Sequence, residues 1–285
     1  MPVHEETFEI ERAGLRLVGD RWGSHPSHGT VLLLHGGGQT RHSWARTGVR
    51  LADAGYLALA LDARGHGDSS WDPGGDYSID TFVADLIAVV ATLPERPTLV
   101  GASLGGITAL LAAGEHPGLA RALVLVDVVV AVEPAGVNHI RTFMTSHLGG
   151  FSSLEEVADA IAVYNPNRPR PRTLDGLRKN VRRHDDGRWY WHWDPAFMRI
   201  TDEPQRRVDQ QRLRAAAARV EIPALLVRGA RSDVVSDAGL TDMLRLIPHA
   251  EAVAVGGAGH MVAGDDNDVF AVTLETFLAG IRSAG

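Results

Sequence analysis

Thr98-Leu99-Val100-Gly101-Ala102-Ser103-Leu104-Gly105-Gly106 reads as a buried strand that gives way to a helix within two residues. Thr98, Leu99 and Val100 suit a strand covered on both faces, and the pattern from Leu104 onward is helical. The chain therefore reverses at Ser103, where a crossing of strand and helix leaves no room for a Cβ two positions to either side. Gly101 and Gly105 occupy those two positions. Such a turn is expected to hold Ser103 at positive φ, with its hydroxyl exposed as a candidate nucleophile. The amide of Leu104, opening the helix, has no intrahelical acceptor and is a candidate donor to an oxyanion.

The chain before this turn alternates buried-strand runs with helical patterns. Thr7 to Arg12 and Leu15 to Trp22, separated by Ala13-Gly14, predict an antiparallel hairpin. Val31 to Leu34 predicts a buried strand running into His35-Gly36-Gly37-Gly38, a loop whose amides can approach a substrate oxygen closely. His35 is expected to brace that loop rather than act as a base. Tyr56 to Leu61 predicts the next strand, ending in Asp62-Ala63-Arg64-Gly65-His66-Gly67-Asp68-Ser69, with Arg64 and Asp62 expected to pair. Phe82, Leu86, Val89 and Val90 mark a helix after Ser78.

Beyond the turn, Ala122 to Val128 predicts a further strand that carries Asp127 near its end. From Glu133 to about Arg219 the strand–helix rhythm stops, and helical stretches alternate with breakers such as Asn165-Pro166-Asn167. Trp189-Tyr190-Trp191-His192-Trp193 lies there, with its tryptophans on one side of an extended segment. They suit either a wall for an apolar substrate or a small core of their own. Arginines from Arg168 to Arg183 read as a solvated face. Ile222 to Val227 then predicts a strand that delivers Asp233, and Glu251 to Val255 a last strand followed by Gly256-Gly257-Ala258-Gly259-His260-Met261.

In this order the motifs resemble the α/β-hydrolase superfamily, specifically its serine esterases with an inserted cap. The resemblance implies an eight-stranded, mostly parallel sheet flanked by helices. It also implies a core over residues 1–133 and 216–285 and a mainly helical cap over 134–215. By the family's pattern Ser103 is the nucleophile, His260 the base and Asp233 the acid, with Asp127 as the rival because some members place the acid at that strand end. The amides of Gly37 and Leu104 form the expected oxyanion hole, and Gly38, Trp189, Trp191, Trp193 and Met261 the expected substrate contacts. The implied activity is carboxylesterase-like: hydrolysis of a small to medium carboxylic ester through an acyl-enzyme. Serine at the turn argues against the aspartate-dependent dehalogenases and epoxide hydrolases of this fold.

Alternatives on the same fold are a lactonase or perhydrolase, and a C–C bond hydrolase of ring-cleavage products. The last is suggested by the His35 glycine loop with Trp44 nine positions on, and opposed by Ala102 and Met261. A non-catalytic ligand-binding member is the alternative from another class, opposed by the presence of all three candidate triad residues.

Composition narrows the field further. The 285 residues carry 45% hydrophobic and 22% charged side chains, enough for one sizeable core. A net charge of −7, with no basic run interleaved with aromatics, excludes a nucleic-acid footprint. The absence of cysteine removes thiol catalysis, thiolate metal sites and disulfides, and fits a cytoplasmic protein. No signal peptide is read at the N-terminus. The longest apolar run, Ala122 to Val132, is far short of the roughly 20 residues needed to span a bilayer. No metal or organic cofactor motif is present, so the expected partner is a small-molecule ester alone.

Overall fold

The computed structural model describes residues 5–24, 27–165, 173–201, 209–256, 258–260 and 268–284. Strands β1 (Glu5–Arg12) and β2 (Leu15–Trp22) form the expected antiparallel hairpin. β3 (Thr30–Leu34), β4 (Leu57–Leu61), β5 (Thr98–Ala102), β6 (Ala122–Val126), β9 (Ala224–Gly229) and β10 (Glu251–Val255) complete an eight-stranded sheet in the order β1-β2-β4-β3-β5-β6-β9-β10. All neighbours from β4 to β10 run parallel, and β2 pairs antiparallel with β4. This is an α/β-hydrolase fold.

The parallel strands are covered on both sides, and their two-residue period divides them between two cores. Leu32, Leu34, Leu99, Leu123 and Leu125 face one core with α2 (Ile79–Ala91), α3 (Leu104–Glu115) and α6 (Gln210–Ala218). Val31, Leu33, Val100, Val124 and Val126 face the other, with Trp22, Trp44 and Phe270 and with helices α1 (Ala45–Asp53) and α8 (Asp268–Ala284). No helix among the described residues is long and apolar enough to cross a membrane.

Between β6 and α6 lie α4 (Pro134–Thr145), α5 (Leu154–Tyr164), a two-stranded ribbon of β7 (Val181–Arg183) and β8 (Trp189–Trp191), and a short 3-10 turn over Pro195–Thr201. α6 belongs with the core layer, because Gly114 of α3 lies against its backbone: a Cβ there would sit 2.2 Å from Ala216 O. The helix begins at Gln210, so it runs across the expected boundary at residue 215.

Strand order reverses at β3, which has β4 on one side and β5 on the other. The crevice at such a reversal is where open parallel sheets place ligands, and here it lies between the glycine loop after β3 and Ser103 after β5. The crossing of β5 and α3 is tight. A Cβ at Gly101 would lie 2.4 Å from Gly105 O, and one at Gly105 would lie 2.5 Å from Leu34 O. Gly101→Ala should therefore cost about 1–3 kcal/mol of stability through overpacking against immovable backbone. A lowered urea midpoint at unchanged slope is the expected result. Gly176→Ala, with open space around it, should stay near wild type.

Candidate active site

Ser103 sits at φ 46°, ψ −115°, between the last residue of β5 and the first of α3. Serine commonly caps a helix with its side chain, but this backbone geometry turns it away, and its hydroxyl makes no capping bond. The strained conformation is held from both sides: Ser103 N–H donates to Val126 O on β6 (3.2 Å), and Ile107 N–H of α3 donates to Ser103 O (2.9 Å).

Next to it β6 ends and Asp127 follows, also at positive φ (54°). Its side chain is fully buried and accepts three hydrogen bonds. Gly229 N–H reaches Oδ1 at 3.0 Å, Ser232 Oγ reaches Oδ2 at 2.5 Å, and His260 Nδ1 lies 2.6 Å from Oδ2. Facing a carboxylate, Nδ1 carries the proton, so Nε2 is left with the lone pair. The loop bearing His260 is itself pinned to the end of β9, since Arg231 N–H donates to Ala258 O (2.9 Å) and Gly229 packs against the backbone of Gly259. No hydrogen bond joins Ser103 and His260 among the described residues.

Asp233, the acid expected from sequence, does not meet His260. Its side chain is half exposed and lies 3.2 Å from His139 of α4. The reason is packing: the β9 loop turns inward through Gly229 and Ser232 toward Asp127, and α4 presses on the backbone of Asp233 at Gly136. One residue beyond Ser232, where the loop last serves Asp127 directly, Asp233 already faces outward. The expected pairing of Arg64 with Asp62 is likewise replaced. Arg64 pairs with Asp85 (2.6 Å) and Asp72 (3.0 Å), while Asp62 meets Arg41. Burial alone would disfavour the Arg41 charge, but Asp62, Asp68 and Asp20 around it outweigh that and raise its pKa.

The glycine loop is a tight turn closed by Gln39 N–H to Gly36 O (3.0 Å). Gly36 N–H donates to Gln39 Oε1 (2.9 Å) and Gly38 N–H to His66 Nε2 (3.1 Å). Of the three glycine amides in this loop, that of Gly37 alone meets no acceptor among the described residues. Gly36 brings the turn against Ser103, a Cβ there lying 3.3 Å from Ser103 Cβ.

His35 braces the turn, its Nδ1 lying 2.8 Å from Gly36 O while Nε2 accepts from Ala63 N–H (3.0 Å). His66 and His192 complete a buried group of three imidazoles, with neighbouring ring centres 5.2 and 5.9 Å apart. Sequence reasoning assigned no role to His66 or His192; a histidine in D-x-R-G-H-G beside a glycine loop was the available signal.

Over the turn sits the cap. A Cβ at Gly37 would lie 3.4 Å from Phe197 Cζ, and one at Gly38 would lie 3.0 Å from Met144 Cε and 3.3 Å from Trp193 Cζ3. The three tryptophans expected as a group part company. Trp193 reaches the turn, Trp191 stacks behind it (4.8 Å, 12°) among Phe143 and Phe151, and Trp189 lies under the guanidinium groups of Arg178 and Arg183. Met144 and Phe197, and not Trp189, lie beside Trp193 over the turn. Met261 lies outside the described residues.

Burial pushes His35 down to about 4 and His66 to about 3, with Arg41 adding to the first and His35 to the second; His192 is lowered too. These rings are neutral when folded, whereas the unfolded chain protonates them below about 6.5. Below that pH the unfolded state binds more protons, so stability falls as pH falls, by about 1.4 kcal/mol per ring per pH unit until each folded pKa is reached. Urea midpoints should drop steeply from pH 7 to pH 5. His66→Asn, though less stable at pH 7, should show a slope shallower by about that one-ring amount.

A family model described as alpha/beta hydrolase fold matches residues 29–266. The esterase Rv0045c of Mycobacterium tuberculosis is 33% identical over 269 residues, covering 90% of this chain and 85% of that one. The 2-(acetamidomethylene)succinate hydrolase of Mesorhizobium japonicum is 28% identical, covering 81% of each chain. A solved E-2-(acetamidomethylene)succinate hydrolase superposes with a TM-score of 0.84 at 27% identity over 97% of this chain and 100% of that one. With the strand order, the sharp turn at Ser103 and the glycine loop after β3 already in place, these matches establish that the chain belongs to the α/β-hydrolase family.

Proposed function

We propose that the chain is a serine hydrolase that cleaves small to medium carboxylic esters with an apolar acyl part, using Ser103, His260 and Asp127. The observation that carries this reading is the bond from His260 Nδ1 to the buried carboxylate of Asp127. It fixes the tautomer in which Nε2 can accept a proton, and it stabilises the imidazolium that results. His260 takes the Ser103 proton as Oγ attacks the ester carbonyl. The tetrahedral oxyanion is met by the amides of Leu104 and Gly37. As the C–O bond breaks, His260 returns the proton to the leaving alkoxide. Water then attacks the acyl-serine by the same route, releasing the acid and restoring the hydroxyl. The similarity to a curated esterase over most of both chains supports the reading.

The substrate class rests on what the cap presents to Gly37 and Gly38: Met144, Trp193 and Phe197, all apolar. Such a lining binds hydrocarbon through buried area, about 25 cal/mol per Å², and has no fixed charge to pair with a second carboxylate. These three side chains offer no charge to pair with the second carboxylate of the acetamidomethylenesuccinate that one relative is named for.

A fluorophosphonate probe should label wild type at Ser103 and leave Ser103→Ala unmodified. Asp127→Asn should lower kcat on an aryl ester by about 10⁴ in a folded protein, since the ring loses its orienting partner. Asp233→Asn should stay within about threefold, because surface substitutions away from such a site have small effects. The opposite ranking would return the acid to Asp233.

Across aryl esters of increasing acyl length, Trp193→Ala should shift the preferred length and Trp189→Ala should not. A vinylogous diketone, run alongside, should turn over far more slowly than the best ester. Faster cleavage of the diketone would instead favour C–C bond hydrolysis.

A further inference from the structure

Three consecutive peptides of the glycine turn are each held by a different histidine. The first joins Gly36 to Gly37, and its carbonyl takes the Nδ1–H of His35 (2.8 Å) while its N–H is the Gly37 donor that meets no acceptor among the described residues. The second joins Gly37 to Gly38, and its N–H donates to His66 Nε2 (3.1 Å). The third joins Gly38 to Gln39, and its carbonyl lies 3.2 Å from His192 Nε2. The tautomer of His192 follows from its other nitrogen, because Nδ1 accepts the N–H of Gly67 (2.8 Å) and the proton must be on Nε2. His192 therefore donates to Gly38 O.

His35 and His66 come from core loops beside the turn, but His192 comes from the cap, 154 residues away from Gly38. The third peptide's own N–H, that of Gln39, donates back to Gly36 O. A continuous run of hydrogen bonds thus leads from the cap imidazole, through the Gly38–Gln39 peptide, to the carbonyl of the peptide whose N–H faces the oxyanion. In an amide the C=O and N–H lie in one plane and point oppositely, so a bond that fixes the carbonyl also aims the donor and polarises it. The cap is seated along this seam by further bonds: Asp194 N–H donates to Gly65 O (2.8 Å), Tyr77 donates to the Asp194 carboxylate, and Arg182 pairs with Asp68 (2.7 Å).

We infer that His192 is a positioning residue for the oxyanion amide of Gly37, so that the cap, besides covering the substrate, supplies the last support of the oxyanion turn. This deepens the serine-hydrolase reading and rests on it. The support acts when negative charge develops on the carbonyl oxygen, so its loss should appear in kcat and in affinity for a tetrahedral mimic, with little change in KM.

The test uses three variants of the full chain with an aryl ester and a trifluoromethyl ketone, which adds to serine to give an oxyanion. His192→Phe fills similar space and loses both bonds. His192→Gln can return an N–H toward Gly38 O, and His192→Asn can return only the acceptor facing Gly67. In His192→Phe, kcat should fall about 10- to 100-fold, less than the loss from deleting an oxyanion donor outright, with ketone affinity falling in proportion. His192→Gln should recover most of the loss, and His192→Asn should not.

Full kcat in His192→Phe, recovery by His192→Asn rather than His192→Gln, or a rise in KM alone would each overturn the inference and reduce His192 to a cap anchor. Fluorophosphonate labelling of Ser103 in every variant separates these outcomes from misfolding. A wild type that neither labels nor cleaves esters would instead bring down the hydrolase reading beneath it.

Discussion

Helix α3 crosses strand β5 so closely that their backbones touch between Gly101 and Gly105, and the chemistry-bearing end of the sheet is arranged around that contact. The crossing forces Ser103 into a positive-φ turn that most residues avoid, which spends conformational energy to keep a hydroxyl out of the helix cap. It also brings Gly105 against the carbonyls of Leu34 and His35, so the loop after β3 is drawn to the same place. A side chain at either glycine would separate strand, helix and loop at once.

Once that end of the sheet is built, neighbouring strands deliver their residues by adjacency. Ser103 follows β5 and Asp127 follows β6 directly beside it, while the end of β9 supplies the Gly229 amide and the loop after it the Ser232 hydroxyl that hold the Asp127 carboxylate. A buried carboxylate that accepts several hydrogen bonds is held as an acceptor, which is what an imidazole needs behind it. Asp233 has none of these supports and pairs at the surface with a cap histidine.

The cap is tied to the core by polar bonds to the loops after β3 and β4, through His192, Asp194 and Arg182. Three buried neutral imidazoles fill the seam, and each accepts a backbone N–H that would turn repulsive if the ring took a proton. Their neutrality and the shape of the glycine turn are therefore one property. Met144, Trp193 and Phe197 lie over the same turn, so the cap meets it both by these apolar contacts and by the His192 hydrogen bond.

Much of this was legible in the sequence because it is encoded at short range. The buried runs at Val31, Leu57, Leu99 and Ala122, the small residues two positions to either side of Ser103, and the glycines after His35 each obey a local steric rule that a linear reading can apply. The hairpin, the parallel sheet and the sharp turn follow from such rules, while the choice of Gly37 in the glycine loop comes from the resemblance to the family. The partner of His260 did not: Asp127 and Asp233 both follow buried strands, and the family's loop pattern favours Asp233, whereas the structure pairs His260 with Asp127. That choice is made across 133 residues by how the β9 loop folds inward against β6 while α4 presses on Asp233. The same holds for the cap, where Trp189, Trp191 and Trp193 share one alternating pattern yet reach three different surroundings. Local spacing determined which backbone shapes this chain can adopt; only tertiary packing decided which side chains meet, because a hydrogen bond between distant residues depends on the placement of every element between them.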